Sequence, residues 1–206
     1  MNIFEVPYFK QEEKDTCGVA CARILLAYNG FEISEEKLRK EVFLHKFGAW
    51  YSDLAKLFIS RGMKTRVSTI NVNMYSHTWA DRSETELRGL LVSRSSELLG
   101  LLKTEVEKAI EYIDLGGLLE VRIPSPEMIE TLIKTQPIMI PVLKSLLSKS
   151  RFDEAGHYIV LTGFDGEKYS VLDPSTGKYE INKETLYYAW LGNNRDSDGY
   201  LMEIMK

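Results

Sequence analysis

The sequence predicts an α+β fold in which a helical part, led by an amino-terminal helix, packs on an antiparallel sheet. Three observations predict it. Residues 17–28 are a run of helix formers, apolar on nearly every side. The middle of the chain carries apolar residues at helical spacing, as in Leu98, Leu101, Leu102, Val106, Ala109, Ile110 and Ile113. The last third is dominated by short alternating or apolar runs bounded by turn residues, which is how strands read.

Each element follows from local chemistry. Val6-Pro7-Tyr8-Phe9-Lys10 is an extended lead-in or edge strand, where Pro is tolerated. The helix beginning at Cys17 has Asp15 or Thr16 as its cap, because either side chain can accept an orphan N–H. Asn29-Gly30 ends it. Ser34 caps a helix through about His45, with Lys37 closing its first turn. Ser52 caps another, Asp53 to Arg61, stopped by Gly62. Met63 to Val72 reads as a strand, and residues 73–83 as a loop before a short helix near Glu84–Leu91. A longer helix runs from about Ser95 to Leu115, where Gly116-Gly117 breaks it. Residues 73–117 read as a helical insertion within one domain spanning residues 1–206, since no Gly/Ser/Pro-rich linker flanks them.

Leu118–Ile123 is a strand, and Ser125-Pro126 opens a helix ending near Thr135. Ile138–Leu143 is a buried strand in which Pro141 predicts a bulge or bend. Lys144 to Ala155 is a polar loop placed to cover a cleft, since it leads directly into His157. Residues 156–174 form a hairpin around Phe164-Asp165-Gly166. With a three-residue loop pairing Gly163 with Glu167, His157 comes to lie opposite Asp173 on one face. A two-residue turn would put them on opposite faces. After the Ser175–Lys178 turn come a strand at Tyr179–Ile181, a helix capped by Asn182, a loop at Asp196–Gly199 and a last strand, Tyr200 to Met205.

Composition narrows the function. A chain of 206 residues builds one well-buried domain, and its formal charge of −4 argues against a broad nucleic-acid or anionic-membrane surface. No apolar run approaches the length of a membrane span. The first residues lack a signal peptide's basic and apolar regions, so the cytoplasm is the expected location. The two cysteines, Cys17 and Cys21, share one helix, and no closely spaced Cys and His pair suggests a metal. No cofactor or metal is called for.

Cys17 sits in the first turn of its helix, where the dipole and free N–H groups favour a thiolate. Gly18 beside it leaves room for a substrate backbone. Taken singly, the structural alternatives are commoner: a buried cysteine, a solvated Gln11 in a polar loop, a satisfied histidine, an aspartate in a turn. Cys21 fits the buried role better than Cys17. Taken together, Cys17, Gln11 six residues before it, His157 and Asp173 meet the needs of acyl transfer. A thiolate attacks a carbonyl, an imidazole moves the proton, a carboxylate orients the imidazole, and a carboxamide with a backbone N–H holds the oxyanion.

These residues resemble the papain-like cysteine peptidases, and more closely the bacteriocin-processing, double-glycine-leader peptidase family and its stand-alone relatives. The resemblance rests on Val6-Pro7-Tyr8-Phe9-Lys10-Gln11, Cys17-Gly18-Val19-Ala20, His157-Tyr158-Ile159-Val160 and Asp173-Pro174. It covers roughly the first sixty and last seventy residues. It implies a papain-like fold, with Cys17 as nucleophile, His157 as base, Asp173 as its orienter, Gln11 as oxyanion donor, and a peptide or protein as substrate. Residues 73–117 look like the insertion of stand-alone members, and no transporter segments accompany the domain. The expected activity is cleavage of a peptide or isopeptide bond through an acyl-enzyme. The alternatives are an acyl transferase or amidase using the same triad, and a non-catalytic peptide-binding module. His45 and His77 are the rival bases, though neither has a carboxylate in a predictable register, and Asp165 reads as a turn former.

Overall fold

The computed structural model describes residues 3–46, 48–147, 156–193 and 200–205. Helix α1 (Cys17–Tyr28) buries Val19, Cys21, Ile24, Leu25 and Leu26. Asn29 closes it, its side chain donating to the Leu25 carbonyl at 2.8 Å, and Gly30 follows at φ +90°. Thr16 occupies the cap position without capping: its hydroxyl donates to the Glu13 carbonyl and accepts from the Glu13 N–H.

Helix α2 (Glu35–Arg39) starts as expected, with Ser34 accepting from the Lys37 N–H, but it ends six residues short of His45. The chain turns instead into a small antiparallel hairpin, β1 (Leu44–His45) with β2 (Gly48–Ala49). Strand pairing and core packing of Leu44 and Ala49 override the helical propensity of the segment. Helix α3 (Tyr51–Ile59) begins two residues earlier than predicted, capped at Trp50, with Ser52 buried inside its first turn.

Strand β3 (Lys64–Thr69) leads through a short 3-10 turn at His77–Trp79 to α4 (Glu84–Glu97), whose start is a capping box between Ser83 and Glu86. Helix α5 (Gly100–Asp114) begins five residues later than expected. Leu98 and Leu99 are extended, and Gly100 takes φ +63°, a conformation open to Gly, so one predicted helix becomes the end of α4 and the whole of α5. Strand β4 (Leu118–Val121) then pairs parallel to β3. The parallel pair lies in the other sheet from the one that carries His157 and Asp173, whose pairings are all antiparallel as expected; a crossover carrying α4 and α5 makes the parallel pair possible.

Helix α6 (Pro126–Leu132) has Pro at its first position. Strand β5 (Ile138–Leu143) keeps an unbroken register through Pro141, which sits opposite Tyr158, so the predicted bulge is absent there. β5 is an outer strand of its sheet, where a missing N–H is tolerated. Of the segment read as a polar loop, Lys144–Leu147 is a short helix, α7; residues 148–155 lie outside the described residues. Strands β6 (Gly156–Phe164) and β7 (Lys168–Asp173) form the predicted hairpin, followed by β8 (Gly177–Asn182), α8 (Lys183–Gly192) and β9 (Tyr200–Met205). The Asp196–Gly199 loop also lies outside the described residues.

The strands form two principal sheets, ordered β4-β3-β9 and β5-β6-β7-β8. One core joins α1, α3 and α5 to Val67, Met202 and Val160. A second gathers Ile129 of α6 and Leu186, Ala189 and Trp190 of α8 against Ile140, Ile159 and Val171. The start of α1 and the open end of the β6–β7 hairpin thereby meet. None of the described helices is long and apolar enough to cross a membrane.

Candidate active site

The hairpin reaches the right geometry by a different register. Its loop pairs Phe164 with Tyr169 and Gly163 with Ser170, then shifts between Leu161 and Gly163, so that Leu161 faces Val171 and Val160 faces Leu172. The predicted Gly163–Glu167 pairing does not form. Asp165 is the turn former, accepting from the N–H groups of Glu167 and Lys168. Continued without a shift, the register at the loop would put His157 and Asp173 on opposite faces of the ribbon. The bulge at Thr162 adds one residue to β6 and restores their shared face. His157 and Asp173 are then diagonal neighbours, and His157 Nε2 stands 2.8 Å from Asp173 Oδ1.

Both residues are 4% exposed. Asp173 Oδ1 also accepts from the Ser175 N–H at 2.7 Å, the Ser175 hydroxyl at 2.8 Å and the Thr176 N–H at 3.3 Å. The Tyr8 hydroxyl donates to the Asp173 carbonyl at 3.2 Å. Burial alone would push the carboxyl up, but the His157 imidazole and the Ser175 donors hold it well below the usual range. For His157, burial works downward, yet hydrogen bonds to Asp173 and Cys17 outweigh it and raise the imidazole to about 9. Asp173 occupies Nε2, so the nitrogen left for the thiol is Nδ1. The two shifts describe one interaction seen from both ends.

Cys17 is partly exposed and free, within hydrogen-bonding reach of His157. Cys21, one turn on, is fully buried, and burial pushes its thiol well up. No side chain of Thr16 caps the helix, so the Cys17 N–H remains at the helix start. Gln11 is anchored at the same place, its N–H donating to the Pro174 carbonyl at 2.9 Å. Its carboxamide faces its own loop: Nε2 donates to the carbonyls of Glu13 at 2.6 Å and Lys14 at 2.9 Å. Its Oε1 is buried without a partner. The loop is strapped further by the Glu12 N–H to Glu35 at 3.0 Å, by Arg23–Glu12 at 3.3 Å and by an Arg39–Glu13 ion pair.

The rival histidines are placed elsewhere. His45 stacks on Trp50 with centroids 4.4 Å apart, and burial lowers its pKa against an opposing pull from Asp53. His77 is exposed on the 3-10 turn. Sequence reasoning missed Tyr8, Ser175, Thr176 and the bulge at Thr162. The run Asp173-Pro174-Ser175-Thr176 carried a turn signal, an aspartate able to accept from N–H groups two and three residues on; nothing in β6 marked the bulge. Among the described residues no group of three or more His, Cys, Asp and Glu side chains is placed to hold a metal ion.

A model of the Peptidase_C39-like family matches residues 3–197. Three solved structures share the fold. A double-glycine-motif protease from an AMS/PCAT transporter, solved with its leader peptide, is 16% identical, with a TM-score of 0.53 over 98% of this chain and 93% of that one. The peptidase domain of Streptococcus ComA, a bifunctional ABC transporter, is 14% identical, with a TM-score of 0.52 over 96% of each chain. A C39-like peptidase from Bacillus anthracis is 14% identical, with a TM-score of 0.56 over 100% and 97%. At these identities the likeness is one of fold. No curated protein matches the sequence significantly.

Proposed function

This chain belongs to the Peptidase_C39-like family, and on that premise we propose that it is a cysteine peptidase that cleaves a peptide or isopeptide bond through an acyl-enzyme on Cys17. The observation that carries the reading is the buried His157–Asp173 contact at 2.8 Å with the Cys17 thiol in reach of the same imidazole. Cys17 Sγ attacks the scissile carbonyl and forms a thioester as the C–N bond breaks. The His157 imidazolium gives its Nδ1 proton to the leaving amine. A water then gives a proton to the neutral imidazole as its oxygen attacks the thioester, releasing the acid and the thiolate and restoring the thiolate–imidazolium pair. Asp173 holds the ring and offsets its charge.

The oxyanion falls to the Cys17 N–H and the Gln11 carboxamide. In that role Gln11 must exchange the carbonyls of Glu13 and Lys14 for the substrate oxygen. That engaged conformation is the observation favouring the second reading, a peptide-binding module with the same fold. The complete Cys17–His157–Asp173 set favours catalysis. In the same reading residues 73–117 are an elaboration within one papain-like domain, since Val106, Ala109 and Tyr112 pack into the core that α1 occupies.

The neighbour solved with a leader peptide makes peptides the substrate class to try first. A peptide library is incubated with wild type, Cys17→Ala and His157→Ala, with and without an added amine, and products are identified by mass. Cleavage by wild type alone supports the peptidase. Amine-capped products in place of free acids would assign acyl transfer instead. Peptide retention without turnover by wild type would refute catalysis and leave the binding module.

A further inference from the structure

The Cys17–His157 meeting joins elements 140 positions apart in sequence, and each reactive residue is followed by one that touches the other's neighbour. Gly18 follows Cys17, and Tyr158 follows His157. A Cβ built on Gly18 would lie 3.1 and 3.3 Å from Cδ2 and Cε2 of the Tyr158 ring, and 2.9 Å from Leu54 Cδ1. The ring therefore packs close against the backbone of α1, so that a methyl group on Gly18 would have to push the ring back by a few tenths of an ångström and turn the end of Leu54 aside. The far end of the same ring is fixed. The Tyr158 hydroxyl donates to the Ala49 carbonyl at 3.3 Å and is itself bonded by the Tyr200 hydroxyl. The Tyr200 ring packs in turn on Tyr51, with centroids 5.2 Å apart. A rigid six-membered ring, pinned at its tip and butted against the helix, separates α1 from β6 by one ring's dimension.

We propose that Tyr158 is the positioning residue that sets the distance between the Cys17 thiol and the His157 imidazole, serving as a spacer between α1 and β6. The inference builds on the proposed pairing of Cys17 with His157. Its physical basis is that a misplacement of about 1 Å between reacting groups costs about a hundredfold in rate. An aliphatic side chain at 158 would let helix and strand settle closer or slide, whereas a phenyl ring would keep the spacing. The hydroxyl pins the ring through Ala49 and Tyr200.

The test follows the His157 imidazole by NMR across pH, in the full-length protein, beside melting temperature and Cys17 alkylation. Tyr158→Leu removes the spacer, and the His157 midpoint is expected to fall by about one unit, a tenfold loss of imidazolium stabilisation, toward the value in Cys17→Ser. Tyr158→Phe keeps the ring and is expected to keep the midpoint, although it lowers the melting temperature by removing the hydroxyl that bonds Ala49 and Tyr200. Gly18→Ala is the second route: its methyl group wedges α1 off the ring, and the midpoint falls with Tyr158 intact. A midpoint unmoved in both folded Tyr158→Leu and Gly18→Ala overturns the proposal, as does an equal fall in Tyr158→Phe and Tyr158→Leu, which would assign the effect to the hydroxyl. Failure of the underlying pairing shows separately, as a wild-type midpoint that Cys17→Ser leaves unchanged.

Discussion

Replacing Asp173 with Asn isolates the charge that holds the imidazole. An Asn side chain keeps an oxygen where Asp173 Oδ1 accepts from Ser175 and Thr176, so the turn after β7 survives. What is lost is the carboxylate facing His157 Nε2 at 2.8 Å. His157 stands raised from 6.5 to about 9, a difference worth about 3 kcal/mol. Because the Asp173 carboxyl is held down by the same contact, the two shifts are not added. Without the carboxylate, burial again works downward on the ring. Cys17 still holds the ring up in the variant, so a full return to the ordinary value bounds the effect: the charged fraction at pH 8 would then drop from roughly nine-tenths to about 3%, close to thirtyfold. The assay is the pH dependence of kcat on a cleaved peptide, with urea unfolding alongside. Wild-type turnover should decline above about pH 9 as His157 loses the proton it gives the leaving amine, whereas Asp173→Asn should decline from a lower pH, since only Cys17 then holds the ring up. The stability sign follows. A raised His157 contributes fully below its unfolded value and loses that contribution as pH rises through about 9. The lowered Asp173 contributes above its unfolded value and loses it as pH falls toward its depressed one. Wild type should therefore weaken to urea between about pH 6.5 and 9, and the variant should weaken less, keeping only the part that Cys17 supplies. An alkaline limb near 9 retained in Asp173→Asn would refute the reasoning.

Three further outcomes follow from the same geometry. Deleting Thr162 removes the bulged residue but leaves Leu161 opposite Val171 and Val160 opposite Leu172, so His157 and Asp173 keep their shared face, and turnover should stay within about tenfold of wild type with strand content retained by circular dichroism; abolished turnover in the folded variant would contradict the register account. Cys21→Ser places a hydroxyl where a thiol is fully buried, costing about 1–3 kcal/mol in urea unfolding with kcat unchanged; a lost kcat at retained stability would give Cys21 a role in the chemistry. Tyr112→Phe removes the hydroxyl that meets Thr65 and the Leu118 carbonyl, so stability should fall by about 1–3 kcal/mol with the pH profile unmoved, and a shifted profile would contradict a purely structural role for that residue.

What the sequence made legible was local chemistry repeated by tertiary context. Helix α1 was readable to its ends because Cys17–Tyr28 is apolar on nearly every side and Asn29-Gly30 stops it. The strands at 156–164 and 168–173 were readable because a turn former, Asp165, sits between alternating runs. Helix α2 was overextended because nothing within residues 40–45 forbids a helix; a hairpin partner at Gly48–Ala49 does. The break at Leu98-Leu99 was hidden for the same reason, with only Gly100 to mark it. In the site, the identities and pairing of His157 and Asp173 followed from pattern, but the register did not, since one bulged residue decides which face each side chain takes. The orientation of the Gln11 carboxamide depends on the carbonyls of Glu13 and Lys14, which the loop's own folding presents. The Tyr158 contact with Gly18 spans most of the chain and has no local signature.

The central claim is that the imidazole of His157 activates the sulfur of Cys17. The most direct measurement is the rate of iodoacetamide labelling at each cysteine, located by mass spectrometry from pH 5 to 9, in wild type and His157→Ala. Cys17 should react faster than free cysteine at the acid end, Cys21 should be spared, and the acid-side advantage should vanish in His157→Ala. Equal, slow labelling of Cys17 and Cys21, or labelling of Cys17 unchanged by the loss of His157, would contradict it.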